Sequence, residues 1–90
     1  MANLATFLAV GRCGSEAEAA ANLLVSRAAV SLAVKRLERQ LGVRLLLRGK
    51  PKRLSAAGAS LFERVDPLFR EIERQLKRPL QPETAPLEQA

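Results

Sequence analysis

The stretch from Gly14 to Gly42 constrains the fold most, because helix start and stop signals recur in it at close spacing. Ser15 and Glu18 fit a capping box, in which the serine and the glutamate each satisfy a free amide of the first helical turn. Ser26 predicts the start of a second helix. Gly42 predicts its end, because glycine tolerates the left-handed cap conformation. The stretch therefore predicts two helices joined by a tight corner.

The second of these helices has an apolar side and a polar side. The apolar residues repeat at the spacing of a buried helical stripe, and they are Val30, Val34, Leu37 and Leu41. The other azimuths are free to face a partner and carry Arg27, Ser31, Lys35 and Arg39. In the corner between the helices, Leu23 and Val25 are expected to point inward.

Positive charge is concentrated in one block of the chain. Residues 27–53 hold nine lysines and arginines and one acid, Glu38, so the block carries +8 while the whole chain carries +6. Such a block favours a polyanion as partner, the alternative being a solvated, solubilising surface. We expect Glu38 to pair with Arg48 or a neighbouring arginine. Three other arginines are expected to be solvated, namely Arg36, Arg39 and Arg44.

The composition favours packed helices over a β-sandwich. Aromatic residues make up 3% of the chain, with no Trp or Tyr, whereas strands favour aromatic and β-branched residues. The 90 residues allow one small domain with a modest core, so a partner chain would add to its stability.

The segments on either side of the stretch complete this domain. Residues 3–10 predict a short first helix that ends between Gly11 and Gly14. Residues 43–55 predict a two-stranded hairpin with Leu45 and Leu47 as its inward anchors. Its tip carries Lys50, Lys52 and Arg53 around Pro51.

A last long helix is predicted to begin after Ser55. Its apolar face is too broad for a solitary surface helix, so we expect one half to cover the first helix and the other half to meet a second chain. The alternative is that the whole face is intramolecular core. Pro67 lacks an amide hydrogen, so we expect a kink or break near Asp66. The residues assigned to dimerisation are Leu61, Val65, Leu68, Phe69, Ile72 and Leu76.

Two helices joined in this way, with cations on the second, are typical of a DNA-binding helix-turn-helix, which presents the first turn of its second helix to the major groove. Arg27 can donate two hydrogen bonds to guanine, and Ala28 can approach a thymine methyl group. Ser26 and Ser31 can bind phosphate oxygens, and Lys35 can reach the backbone. From the hairpin, Lys50 or Arg53 can enter an adjacent minor groove.

The residue types exclude several other classes of protein. No histidine is present, Cys13 is the one cysteine and has no base beside it, and no glycine-rich phosphate loop or metal-ligand cluster occurs. We therefore predict no enzyme, no cofactor, no metal and no small-molecule site in this chain. An intrachain disulfide is impossible, and Cys13 is expected to pack as a small apolar group. No signal peptide or membrane-spanning run is found, so the expected compartment is the cytoplasm.

Several motifs together resemble the N-terminal DNA-binding domain of LysR-type transcriptional regulators. They are Gly14-Ser15, Ala19-Ala20, Leu23, VS at 25–26, AVS at 29–31, RLE at 36–38, LGVRLLLR at 41–48 and LSAAG at 54–58. The resemblance covers residues 3–78. It implies a bacterial cytoplasmic regulator with a winged helix-turn-helix and a linker helix that pairs two chains on an interrupted palindrome. Carried over by position, it adds Leu32 to the recognition helix and places Lys52 and Arg53 in the wing.

The sequence departs from the family pattern at three places. The family usually has an aromatic residue where Glu16 stands, often Gln-Pro where Arg27-Ala28 stand, and commonly a polar or basic residue where Leu32 stands. The effector-sensing domain that the resemblance implies is also absent. The chain is therefore expected to be either a fragment cut after the linker helix or a naturally short protein.

These observations predict a mainly α protein with a winged helix-turn-helix of three helices and a short β-hairpin, followed by a long dimerisation helix. The predicted units are a DNA-binding domain at 1–55, a linker helix at 56–78, and a disordered tail or linker at 79–90. The predicted function is sequence-specific binding of double-stranded DNA by a homodimer that regulates transcription. One alternative is an interaction module that pairs with another regulator and does not read DNA. A basic helix on an anionic membrane fits less well, because the cations do not lie along one amphipathic helix.

Overall fold

The computed structural model describes residues 2–49 and 52–80 of the chain. It contains helices α1 (Ala2–Cys13), α2 (Glu16–Leu23) and α3 (Arg27–Leu41), then strands β1 (Leu46–Leu47) and β2 (Arg53–Leu54), and finally helix α4 (Ala56–Lys77). This is a winged helix-turn-helix followed by a long helix, which confirms the predicted fold. The predicted turn residues Lys50 and Pro51, and positions 81–90 of the predicted tail, lie outside the described residues.

The predicted serine N-caps are present, but among the described hydrogen bonds the Glu18 side chain does not accept the amide of Ser15, so only the serine half of the predicted capping box forms. Ser15 Oγ accepts a hydrogen bond from Glu18 N at 3.1 Å, and Ser26 Oγ accepts one from Ala29 N at 3.0 Å. Gly42 ends α3 with a φ of 73°. Local capping chemistry therefore sets the ends of both helices of the motif.

The corner between α2 and α3 differs from the prediction. Leu24 adopts the left-handed conformation with a φ of 58°, and it is 91% exposed. Leu23 and Val25 are 41% and 47% exposed, so the prediction that they point inward is wrong. The corner is closed by backbone hydrogen bonds instead, from Leu24 N to Ala21 O and from Val25 N to Ala20 O.

The core lies where α1 packs on α3. Phe7, Leu8 and Val30 are fully buried there, and Val34 and Leu37 are nearly so. The predicted stripe of α3 is therefore confirmed at three of its positions, but Leu41, at the end of the helix, is 46% exposed.

Helix α1 ends at Cys13, within the predicted range from Gly11 to Gly14, and Gly11 is a packing position inside it. A Cβ added at Gly11 would overlap the ring of Phe62 on α4. At Gly58 the backbone of α4 also comes close to the backbone of Leu45, since a Cβ there would overlap the Leu45 carbonyl oxygen. Two glycines thus let α4 lie directly against the body of the domain.

The wing is a short antiparallel pair in which Leu46 lies opposite Leu54 and Leu47 lies opposite Arg53. Leu45 is fully buried, as predicted, but Leu47 is 47% exposed and Leu46 is buried in its place. The predicted alternation is wrong because β1 begins only at Leu46. Leu45 precedes the strand, so it does not share the strand's alternation of faces.

Helix α4 continues through Pro67, so the break expected near Asp66 is absent. Asp66 lies inside this continuous helix. It is 6% exposed, and its carboxylate binds Arg12 Nε at 2.7 Å and Arg70 Nε at 3.0 Å. Proline leaves the carbonyl of Glu63 without its helical donor, and Glu63 is on the exposed side, where water can reach that carbonyl.

Candidate nucleic-acid interface

The exposed side of α3 is cationic. Arg27, Lys35, Arg36 and Arg39 are all exposed, while the opposite side of the helix is buried against α1. The amphipathic pattern that builds the core therefore also presents the cations outward. These side chains form one surface that could meet a polyanion.

The first turn of α3 is open to a partner. Ser26, Arg27, Ala28 and Ala29 are all exposed. Ser26 Oγ accepts the amide of Ala29, so its hydroxyl hydrogen remains available to donate to an anion. The positive end of the helix dipole lies at the same turn. This turn therefore combines a helix N-terminus, a hydroxyl donor and a guanidinium.

The middle of α3 contributes a mixed surface. Ser31 is half-buried, Leu32 is 45% exposed, and Lys35 is exposed one turn beyond Ser31. Leu32 offers only apolar contact there, because its side chain has no hydrogen-bonding group. The predicted α3 residues are thus all exposed or half-buried along the side of the helix that faces away from the core.

The carboxylate of Glu38 binds backbone amides, a role that the sequence did not predict. Its Oε2 accepts hydrogen bonds from Leu45 N at 2.7 Å and Leu46 N at 3.2 Å. Among the residues that the structure describes, no cation lies within salt-bridge distance of it, so the predicted pairing with Arg48 or another arginine is wrong. The one acid of the basic block is therefore used to hold the start of the wing.

The wing residues are placed differently from one another. Arg53 is exposed on β2, opposite Leu47. The ammonium of Lys52 lies 3.1 Å from Glu16 Oε1, and the side chain of Glu16 is only 4% exposed. Lys50 lies outside the described residues. The wing therefore presents Arg53, whereas Lys52 is already engaged within the protein.

Helix α4 separates the predicted dimerisation residues into two sets. Leu61, Val65 and Phe69 are partly buried against the core of the same chain. Leu68, Ile72 and Leu76 are 65%, 49% and 75% exposed. The second set is available to a partner, whereas the first set anchors the helix.

The exposed end of α4 also carries a local ion pair. Glu71 accepts hydrogen bonds from Gln75 Nε2 at 2.8 Å and Arg74 Nη2 at 2.6 Å. The bond from Gln75, then that from Arg74, holds the pKa of Glu71 below its ordinary value. This pair stays on the helix surface and reaches no residue of the body.

Two further properties concern the described residues as a whole. Within 2–49 and 52–80, no group of three His, Cys, Asp or Glu side chains could hold a metal ion. Over the same ranges no single helix has the length and apolarity to cross a membrane, although α2 and α3 together, bent by 109°, meet those criteria.

Known proteins similar to this chain share both sequence and fold with it. Residues 1–59 match the family model described as bacterial regulatory helix-turn-helix protein, lysR family. An uncharacterized HTH-type transcriptional regulator of Escherichia coli K12, YcaN, is 40% identical over 74 residues, which are 81% of this chain and 24% of that protein.

Solved structures give the same picture. The Corynebacterium glutamicum OxyR C206 mutant has a TM-score of 0.76 at 30% identity, over 84% of this chain and 24% of that one. The BenM DNA-binding domain in its complex with benA site 1 DNA has a TM-score of 0.75 at 27% identity, over 82% of this chain and 87% of that one. The chain thus spans about a quarter of the full-length relatives, YcaN and OxyR.

Proposed function

Because the chain belongs to the lysR family of bacterial regulatory helix-turn-helix proteins, we propose that it binds double-stranded DNA as a homodimer and regulates transcription. The observation that carries this proposal is the exposed side of α3, where four cations face outward and the one acid, Glu38, is turned to the wing. A helix with this surface fits the major groove and attracts phosphates. The DNA in the BenM complex supports the same partner for this fold.

The proposed reading contacts come from the first turn and middle of α3. Arg27 donates to a base edge, Ala28 and Leu32 give apolar contacts, and Lys35 binds the backbone. Ser26 and Ser31 bind phosphate oxygens, with the helix N-terminus contributing its dipole. All six side chains are exposed or half-buried on one helix, so they can reach one groove together.

The wing extends this contact to the neighbouring groove. Arg53 is exposed and is the wing residue of the described part of the chain that we assign to DNA. Lys50 is assigned with it from the sequence alone. Lys52 is treated separately below because of its contact with Glu16.

The proposed dimer forms through the exposed apolar residues of α4. Leu68, Ile72 and Leu76 lie at helical spacing and are largely uncovered in one chain, so pairing two α4 helices would remove them from water. The opposite side of α4 packs against the core of the same chain through Leu61, Val65 and Phe69, so it holds the exposed side in place. In this proposal residues 1–55 read DNA and 56–78 dimerise.

Regulation through DNA binding requires no catalysis, so we propose that the chain is not an enzyme and acts in the cytoplasm, where the DNA is. The relatives YcaN and OxyR are about four times longer than the region that matches this chain.

Selection of bound duplexes from a random pool tests the proposal. With the 90-residue chain as bait, we expect enrichment of two inverted half-sites at one fixed spacing, because two α3 helices would be related by a two-fold axis. A pool whose composition does not change after repeated rounds would contradict sequence-specific binding. Enrichment of single half-sites would contradict the dimer while leaving DNA reading intact.

A further inference from the structure

Glu16 is a buried carboxylate that faces the wing. It lies in the first turn of α2, its side chain is 4% exposed, and its Oε1 is 3.1 Å from Lys52 Nζ. Among the described residues Lys52 is its one salt-bridge partner. A buried carboxylate without a partner is strongly unfavourable, so the position of Glu16 depends on Lys52.

Lys52 lies directly before β2, and its contact with Glu16 places its ammonium against the body of the domain. In the strand pair itself, Leu46 and Leu54 face each other on the inner side of the wing, whereas Leu47 and Arg53 face each other on the exposed side. Arg53 is therefore exposed, whereas Lys52 is half-buried against Glu16.

We propose that Glu16 is a positioning residue for the wing and that it withholds Lys52 from DNA phosphates. The inference rests on the proposed function, because it assigns roles within the same interface. Moving Lys52 to a phosphate would leave the Glu16 carboxylate buried and unpaired, so the ion pair persists when DNA binds. The pair joins the start of α2 to the start of β2, which fixes the wing relative to the helix-turn-helix and leaves Arg53 as its outward cation.

The salt dependence of DNA binding distinguishes a lysine that neutralises a phosphate from one that does not. Each phosphate neutralised adds about −0.9 to the slope of log affinity against log salt. Lys52→Met is therefore expected to leave the slope of the wild type unchanged. Glu16→Met removes the carboxylate at similar side-chain size, so it should release Lys52 and steepen the slope by about 0.9 per subunit.

Two controls distinguish the effect of losing the Glu16–Lys52 ion pair from the effect of changing the net charge. Glu18→Met removes the same charge from the same turn of α2, but Glu18 is exposed and does not pair with Lys52, so its slope should equal that of the wild type. The double variant Glu16→Met/Lys52→Met should also return to the wild-type slope. A Lys52→Met slope that falls by about 0.9 per subunit would overturn the inference, even if Glu16→Met does not fold.

A second measurement needs no DNA and separates failure of the inference from failure of the proposed function. Competitive acetylation of the folded chain, read by mass spectrometry, should modify Lys52 several-fold more slowly than the exposed Lys35. Glu16→Met should bring the two rates together, whereas Glu18→Met should not. Equal rates in the wild type would show that the ion pair does not hold in solution and would overturn the inference.

Discussion

Helices α3 and α4 are both amphipathic, but their exposed sides differ in chemistry. The sequence of α3 has four cations and one acid, and its acid is turned to the wing. The sequence of α4 has four cations and four acids, and its exposed side shows Leu68, Ile72 and Leu76. One side of each helix is apolar because it is buried against the body of the domain. The chemistry of the exposed side indicates which kind of partner the helix can bind. A cationic surface suits a polyanion, whereas an apolar, charge-balanced surface suits another protein chain.

Hydrogen bonds through the wing connect α3 to α4. At the start of the wing, the backbone amides of Leu45 and Leu46 both donate hydrogen bonds to the carboxylate of Glu38 on α3. Ser55, which caps α4, donates its amide to Leu45 O at 2.8 Å and its hydroxyl to Arg44 O. The wing thus connects the cationic helix α3 to α4, the helix that we propose pairs two chains.

Removing the apolar surface of α4 should have the largest effect. Leu68→Ser with Leu76→Ser should give a monomer by light scattering, and its affinity for a two-half-site duplex should fall about 100-fold or more, because linked binding is lost. Leu80→Ser is the control, since Leu80 is equally exposed, at 83%, but lies beyond the end of α4. An unchanged dimer in the double variant would show that this surface does not pair chains.

Removing one cation from α3 should weaken DNA binding without changing the dimer. Arg27→Ala should cost about 1–3 kcal/mol on the selected site and relax the preference at one base pair, as expected for a bidentate base contact. Arg36→Ala, which removes another exposed cation of α3, is expected to weaken all duplexes slightly and equally. If Arg27→Ala also acted equally on all sequences, as measured by competition binding, Arg27 would be a phosphate contact.

Adding a methyl group where α4 packs against the segment before the wing should destabilise the fold itself. Gly58→Ala places a Cβ against the Leu45 carbonyl oxygen. Overpacking costs about 1–3 kcal/mol, and the better helix propensity of alanine offsets about 1 kcal/mol of this. A net loss of up to about 2 kcal/mol in the free energy of unfolding is expected in urea denaturation. A gain in stability would show that α4 is not seated on the wing.

Relieving the corner between α2 and α3 should have the smallest effect and leave both surfaces unchanged. Leu24→Gly removes a left-handed leucine that is 91% exposed, so it should raise the free energy of unfolding by about 0.5–1 kcal/mol. Ala21→Gly, inside α2, should lower it by about 1 kcal/mol. If the melting temperatures of both glycine variants shifted equally and with the same sign, the backbone of Leu24 would not be strained.

The local features of the fold were predictable from the sequence. Ser15, Ser26 and Ser55 cap the helices that they were expected to cap, because an N-cap hydrogen bond spans only three residues. Gly42 and the stripe Val30, Val34 and Leu37 follow from helical geometry in the same way. Membership of the lysR family was predictable as well, since several motifs agreed in order and spacing.

The features that were missed join residues far apart in the chain. Glu38 binding to the wing amides, the pairing of Glu16 with Lys52, and the binding of Asp66 by Arg12 depend on how elements pack. A periodic pattern does not contain this information. The burial of Leu46 in place of Leu47 has the same origin, because it depends on how Glu38 of α3 holds the amides of Leu45 and Leu46 at the start of β1. The assignment of each site residue to DNA stays a prediction.

The most direct test of the central claim is a fluorescence anisotropy titration of a selected duplex with the 90-residue chain at several salt concentrations. If a dimer neutralises about six phosphates through α3 and the wing, the slope of log affinity against log salt should be near −5. Saturable binding with this slope supports a cationic surface that contacts DNA. Absence of binding at low ionic strength, or affinity that does not change with salt, would contradict it.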